Sequence, residues 1–127
     1  MTTVLMDANA LMMPVELDVR VFDELDRLLG DVRLVTPEAV VDELEKLSTG
    51  AGREAVAASV GTDLARERCR LLTHDESYAD DAIVALATAG ECDYVVTNDG
   101  PLKRRLLAAC VPVIGIRGRN KLAITRP

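Results

Sequence analysis

The sequence predicts an α/β protein with three layers, α/β/α, around a central, mainly parallel five-stranded sheet. Two observations carry that prediction. Apolar stretches of strand length alternate along the chain with amphipathic stretches of helix length. The strand stretches are also continuous apolar runs, the pattern of strands covered on both faces, which parallel sheets require. A length of 127 residues fits one domain, 1–127, and a hydrophobic content of 49% is enough for a core without disulfide staples.

The elements follow in order. TTVLMD (2–7) is a short buried strand ended by Asp-Ala-Asn. Residues 16–29 place Val21, Phe22, Leu25, Leu28 and Leu29 on one helical face, closed by Gly30-Asp31. VRLVT (32–36) is a second strand, after which Thr36 and Pro37 read as N-cap and first position of the helix PEAVVDELEKLS. A weaker helix covers about 53–68, with Gly61 as its soft point. CRLLT (69–73) is a third strand, Ser77 to Ala89 a helix, and DYVVT (93–97) a fourth strand. Pro101 to Ala109 form a helix, VPVIGI (111–116) a fifth strand, and residues from about 117 to 127 a short basic tail. In such a doubly wound sheet, sites form at the carboxyl ends of strands near the switch point.

Composition excludes several classes. No apolar run reaches about 18 residues, so no membrane-spanning helix is expected. The start MTTVLMDANAL carries Asp7 and no basic cluster, which argues against a signal peptide and for a cytoplasmic protein. Cys69, Cys92 and Cys110 are widely spaced in apolar surroundings and read as small buried hydrophobes, not as a zinc site or disulfide framework. The net charge is −6, yet all 21 acidic residues lie at or before Asp99, and residues 100–127 carry seven basic residues and no acid. That basic segment suits a polyanion. Twelve Arg against three Lys, with abundant acid, points to a salt-loving host. Val, Leu and Ala positions exceed what one small core needs, which predicts a homodimer.

Four acids fall in places where a solvated face does not explain them together. Asp7 ends the first strand and Asp99 follows the fourth, so both project at the carboxyl edge of the sheet. Glu43 borders the apolar stripe of its helix, three after Val40 and four before Leu47. In SYADDAIVALA, Asp81 lies four before Ala85, on a helix whose inner side Ile83 and Leu86 also mark, with Asp80 as its alternate. Clustered carboxylates repel unless a cation holds them together. Oxygen-only ligands suit Mg²⁺ or Mn²⁺, as one or two ions, and the chemistry such a site performs is phosphodiester hydrolysis. His74, the single histidine, sits in a Thr-His-Asp-Glu turn and reads as a turn or helix-entry residue.

These motifs resemble those of PIN-domain ribonucleases: Asp7 in VLMDANAL, Glu43 in PEAVVDELEKL, Asp81 in YADDAIVALA and Asp99 in VVTNDGPLKRRL. The resemblance spans nearly the whole chain. It implies a five-stranded parallel sheet between helices and cleavage of single-stranded RNA at acids binding Mg²⁺ or Mn²⁺. It also implies that Asn9 shapes the turn after the first acid, and that Thr97 and Asn98 orient Asp99 or bind metal-held water. The doubled Asp80-Asp81, the Leu-Lys-Arg-Arg run and the VIGIRGRNKL ending are similar to archaeal PIN proteins and to eukaryotic PIN nucleases of small-subunit ribosomal RNA processing. Toxins of the virulence-associated-protein-C type share the four acids, so an antitoxin and a ribosome-assembly partner stand as alternative partners. Gly100-Pro101 departs from the polar pair of many relatives and bears on the loop shape there.

Lys103, Arg104 and Arg105 are expected to counter RNA phosphates that the acids repel. With only Phe22, Tyr78 and Tyr94 as aromatics, no stacking platform for bases is expected. A PIN-like domain that only binds RNA or protein is the competing class. Receiver-type and haloacid-dehalogenase-type folds fit less well, since each wants an acidic pair at the first strand where this chain has Asp7-Ala8-Asn9.

Overall fold

The fold is built around β1 (Thr2–Met6), whose Val4, Leu5 and Met6 are completely buried. Burial on both faces demands an unbroken apolar run, which VLM supplies. The structure, a computed structural model, describes residues 1–127. β1 pairs in parallel with β2 (Val32–Pro37), Leu5 opposite Val35, and with β4 (Tyr94–Val96), Leu5 opposite Val95. β3 (Arg70–Leu72) extends the sheet beyond β2, and β5 (Val113–Arg117) beyond β4, both parallel. β6 (Lys121–Thr125) returns antiparallel on β5. The order β3-β2-β1-β4-β5-β6 reverses its direction of growth between β1 and β4, which makes that seam the switch point.

Six helices complete a three-layer α/β fold: α1 (Ala8–Glu16), α2 (Val21–Leu29), α3 (Glu38–Ser48), α4 (Gly52–Arg68), α5 (Ala79–Thr88) and α6 (Gly100–Ala108). Their apolar faces join the strands in one core that includes Leu11, Leu25, Leu44, Ile83, Leu102 and Leu106. None of these helices is long and apolar enough to cross a membrane. Gly61, a soft point by helix propensity, is a point of close approach. A Cβ there would lie 3.2 Å from the Leu11 carbonyl oxygen and 3.3 Å from Leu44 Cδ2, so its absence seats α4 against α1 and α3.

The expected fold class holds, with three local differences. The chain forms a helix, α1, directly after β1, where the sequence suggested a turn. Its ANALMMP run is apolar around most of the helix and contains Pro14, so it shows no 3.6-residue stripe. The basic tail folds back as a sixth strand. Its edge is capped by α2: Glu24 Oε1 accepts from the Leu122 amide at 2.9 Å, and Arg27 Nη2 donates to the Leu122 carbonyl at 2.9 Å. Thr36 does not cap α3. Its hydroxyl donates to the Met6 carbonyl at 2.7 Å, tying β2 to β1 at the carboxyl edge, and Pro37 is the N-cap residue.

Two cysteines behave as expected. Cys92 is buried and Cys69 partly so, and burial pushes both thiols up to about 12. Cys110 is instead exposed at φ 64°, just past α6. It closes a Schellman motif in which its amide donates to Leu107 and the Val111 amide to Leu106.

Candidate active site

β1 and β4 deliver two acids to the switch point, and in each case the acid starts the next helix. Asp7 follows β1 directly and is only 5% exposed. Its Oδ1 accepts from the Ala10 amide at 2.7 Å, capping α1. Asp99 lies three residues past β4, and its Oδ1 accepts from the Leu102 amide at 2.9 Å, capping α6. Asp and Asn are favoured at this position because the side-chain oxygen satisfies an orphan helix amide. Gly100-Pro101, the sequence departure, forms the first turn of α6 and leaves this cap intact.

Thr97 links the two acids. Its Oγ1 accepts from the Asp99 amide at 3.1 Å, and the hydroxyl also favours the charged form of Asp7. The resemblance implies an orienting role for Thr97; the bond seen here holds the Asp99 backbone amide. Asn98, next to it, is exposed and makes no side-chain hydrogen bond.

α3 and α5 bring the remaining acids. A cavity of about 60 Å³ is lined by Asp7, Asn9, Glu43, Asp80 and Asp99, with Ala8, Val40, Ala79 and Ile83 as its apolar walls. Asp80, the alternate on α5, is thus the acid that faces Asp7, Glu43 and Asp99. Asp81 points away: its Oδ1 accepts from Arg105 Nη2 at 2.9 Å, with both side chains about half exposed. The sequence reading marked the inner side of this helix by Ile83, Leu86 and Ala85, and Ala85 favoured Asp81. Ile83 is buried, as are Ala82 and Ala87, but Ala85 and Leu86 are only partly so, and the stripe through Ile83 and Ala87 places Asp80 on the cavity side and Asp81 a further 100° round.

The same ion pair commits Arg105. Lys103 and Arg104 make no salt bridge. His74 lies at a helix entry, although not its own: Nε2 accepts from the Ala39 amide in the first turn of α3, at 3.0 Å. That contact anchors the helix that carries Glu43.

The electrostatics of the cavity are those of uncompensated acids. Burial pushes the Asp7 carboxyl up to about 7, with smaller contributions from the charges of Asp80 and Asp99; the Thr97 hydroxyl and the Ala10 amide oppose this. Glu43 is raised by partial burial, then by Asp80 and Asp99. Asp80 is raised by burial and by Asp99, and Arg105 acts against this. No three side chains close into a finished metal cage. The donor set is nonetheless hard oxygen only and carries excess negative charge. It fits a Mg²⁺-type ion, which keeps several waters and takes few protein ligands.

A second, wider cleft of about 430 Å³ adjoins the first and shares Glu43, Ala79 and Asp80 with it. Its remaining walls are Ala39, Asp42, Lys46, Ser77 and Tyr78. Sequence reasoning missed Lys46 and Tyr78 here. Position two before Asp80 was the available signal for Tyr78, and position three after Glu43 that for Lys46.

Fold and site together describe a doubly wound α/β domain with a carboxylate-rich cavity at its switch point. The family model of the PIN like domain matches residues 4–119, and the chain belongs to that family. It is 30% identical over 106 residues to Ribonuclease VapC4 of Methanocaldococcus jannaschii, covering 80% of this chain and 79% of that protein. Among solved structures, the PIN domain endonuclease Utp24 superposes with a TM-score of 0.79 at 28% identity, over 98% of this chain and 92% of that one. VapBC2 from Rickettsia felis, solved with a promoter DNA fragment, superposes at a TM-score of 0.64 over 90% and 98%. Its 13% identity makes that a likeness of fold.

Proposed function

We propose that this chain is a divalent-metal-dependent endoribonuclease that hydrolyses phosphodiester bonds in single-stranded RNA. The observation that carries the reading is the gathering of Asp7, Glu43, Asp80 and Asp99 around one cavity with no cation among them. Nuclease relatives at 28% and 30% identity support it. Asp7 and Asp99 each spend one oxygen on a helix cap, and their other oxygens, with Glu43 and Asp80, would hold Mg²⁺ or Mn²⁺, as one or two ions. A cation held there supplies positive charge toward a substrate phosphoryl oxygen and makes a nearby water more acidic. Glu43, solvent-accessible at the edge of the cavity, would take the proton of the attacking water at a carboxylate oxygen the cation does not engage. Water adds to phosphorus, the P–O ester bond to one ribose oxygen breaks, and that oxygen leaves as the hydroxyl after taking a proton from solvent. Lys103 and Arg104 of α6 hold flanking phosphates, and Asn9 lines the entry beside Asp7.

Small-subunit ribosomal RNA processing is the role favoured by the doubled Asp80-Asp81, the Leu-Lys-Arg-Arg run and the VIGIRGRNKL ending. The VapC4 relative motivates the second reading, a toxin-type ribonuclease with an antitoxin partner. Sedimentation of the purified chain tests the expected homodimer.

Cleavage of a labelled single-stranded RNA with Mg²⁺ or Mn²⁺, at low and high KCl, tests the reading. Wild type cuts only with metal, and Asp7→Asn and Asp99→Asn do not cut. Folded wild-type protein that leaves RNA intact in every metal and salt condition overturns the nuclease and favours a domain that only binds.

A further inference from the structure

Of the three aromatic side chains, two are covered by cations. The Arg68 guanidinium carbon lies 4.2 Å from the ring centroid of Phe22, and that of Arg126 lies 5.8 Å from the ring of Tyr94. Tyr78 has no such cover and is 75% exposed. An aromatic ring left in water forgoes a large burial gain, so packing does not account for its placement. Its backbone, by contrast, is fixed. Tyr78 is the N-cap residue of α5, and its carbonyl accepts from the Ala82 amide at 3.0 Å. The ring therefore stands on a rigid base, two residues before Asp80, on the wall of the 430 Å³ cleft that opens from the carboxylate cavity. Across that cleft stands Lys46, a cation without an ion pair.

We infer that Tyr78 stacks on an unpaired nucleobase flanking the scissile phosphate, and that Lys46 holds the phosphate on the far side of that nucleotide. This rests on the nuclease reading for the scissile position. The chemistry matches the surfaces: a base offers a π-face to the ring, and its phosphate offers charge to the ammonium. Asp42, Glu43 and Asp80 on the same walls repel phosphate, which leaves the Lys46 side as the place for the backbone. A base held in a duplex does not reach an isolated ring, so the substrate at this position is single-stranded. One stacking residue thus replaces the multi-aromatic platform that the composition excludes.

The test uses the full chain with Asp99→Asn, which blocks turnover, and a short fluorescein-labelled single-stranded RNA followed by anisotropy. Tyr78→Phe keeps the π-face and binds as tightly as the parent. Tyr78→Leu keeps an apolar surface without a π-face and binds about 5- to 150-fold more weakly. Tyrosine emission, which comes only from Tyr78 and Tyr94, is quenched by RNA in the parent and not in Tyr78→Leu. An exposed ring carries little of the fold, and equal melting midpoints check that. Equal affinity and equal quenching in Tyr78→Leu overturn the subsite. With the active wild type, Tyr78→Leu raises KM while kcat stays close to the parent value; unchanged KM overturns the inference and leaves the nuclease standing. RNA binding that depends on Tyr78, in a chain that never cuts RNA, overturns the nuclease and keeps the stacking surface.

Discussion

Two buried acids in this molecule are pushed in opposite directions, and the difference lies in what surrounds them. Glu24, on α2, accepts two hydrogen bonds from Arg27, at 2.8 and 3.1 Å, and one from the Leu122 amide at 2.9 Å. Lys121 lies 3.8 Å away. The Arg27 bonds, then the Leu122 amide, push its carboxyl down to about 2. Asp7, at the switch point, has one amide, one hydroxyl and no cation, and faces Glu43, Asp80 and Asp99. Burial pushes it up to about 7. At Glu24 the protein supplies the counter-charge and obtains a structural clamp on β6. At Asp7 no cationic side chain lines the cavity, and the carboxyl stays raised. Unpaired buried charge costs stability, so folding alone does not account for this arrangement, and acids perturbed in this way mark the cavity as the candidate site.

The largest effect that separates the two regions is on activity. Asp7→Asn, Asp99→Asn or Asp80→Asn should each lower kcat/KM by about 100-fold or more, since a metal's charge at the transition state is worth several kcal/mol. Asp81→Asn should cost little by comparison, and single-turnover cleavage rates of Asp80→Asn and Asp81→Asn decide which of the pair serves the site.

Metal-free stability comes next. Asp7 carries a raised carboxyl, so the unfolded chain loses this proton first as pH rises from 3.8. The folded state then becomes steadily less favoured up to about pH 7 and holds level above it. Moving a carboxyl from 3.8 to about 7 amounts to at most about 4 kcal/mol. Asp7→Asn keeps the helix cap and removes that burden. Its melting midpoint in EDTA at pH 8 should exceed that of wild type, while Mg²⁺ should raise the midpoint of wild type alone.

Glu24 has the opposite sign. Its contribution is complete above pH 4.5 and is lost as pH falls from 4.5 toward 2. Glu24→Gln should lower stability at neutral pH and flatten the acid limb of a urea-midpoint against pH curve. It should leave RNA cleavage unchanged, because the clamp lies at β6, away from the switch point.

Smallest is the helix end after α6. Gly90 ends α5 in the left-handed conformation, at φ 83°, and Cys110 does the same after α6 at φ 64° with a Cβ to accommodate. Cys110→Gly should stabilise the protein by about 1 kcal/mol in chemical denaturation, with no change in cleavage.

The molecule was legible where one local signal decided the outcome. Continuous apolar runs marked the five parallel strands, and acids at strand ends marked Asp7 and Asp99. Legibility failed where two signals competed. Asp80 and Asp81 differ by one helical step, and only the buried side of α5, set by Ile83 and Ala87, separates them. The Arg105 partner of Asp81 comes from α6, 24 residues away in sequence. α1 was hidden because it is apolar on most sides, and β6 because its strand edge is satisfied by the distant Glu24 and Arg27. Counting aromatics does not single out Tyr78; its exposure stands out only once Arg68 and Arg126 are seen to cover Phe22 and Tyr94.

The most direct measurement is calorimetric titration of Mn²⁺ into the metal-free chain at pH 7.5, repeated in two buffers of different ionisation enthalpy. Saturable binding with proton release in wild type, and loss of both in Asp7→Asn, is the result expected of carboxylates gathered to hold a cation. Absence of saturable binding in wild type, or equal binding and proton release in Asp7→Asn, would contradict it.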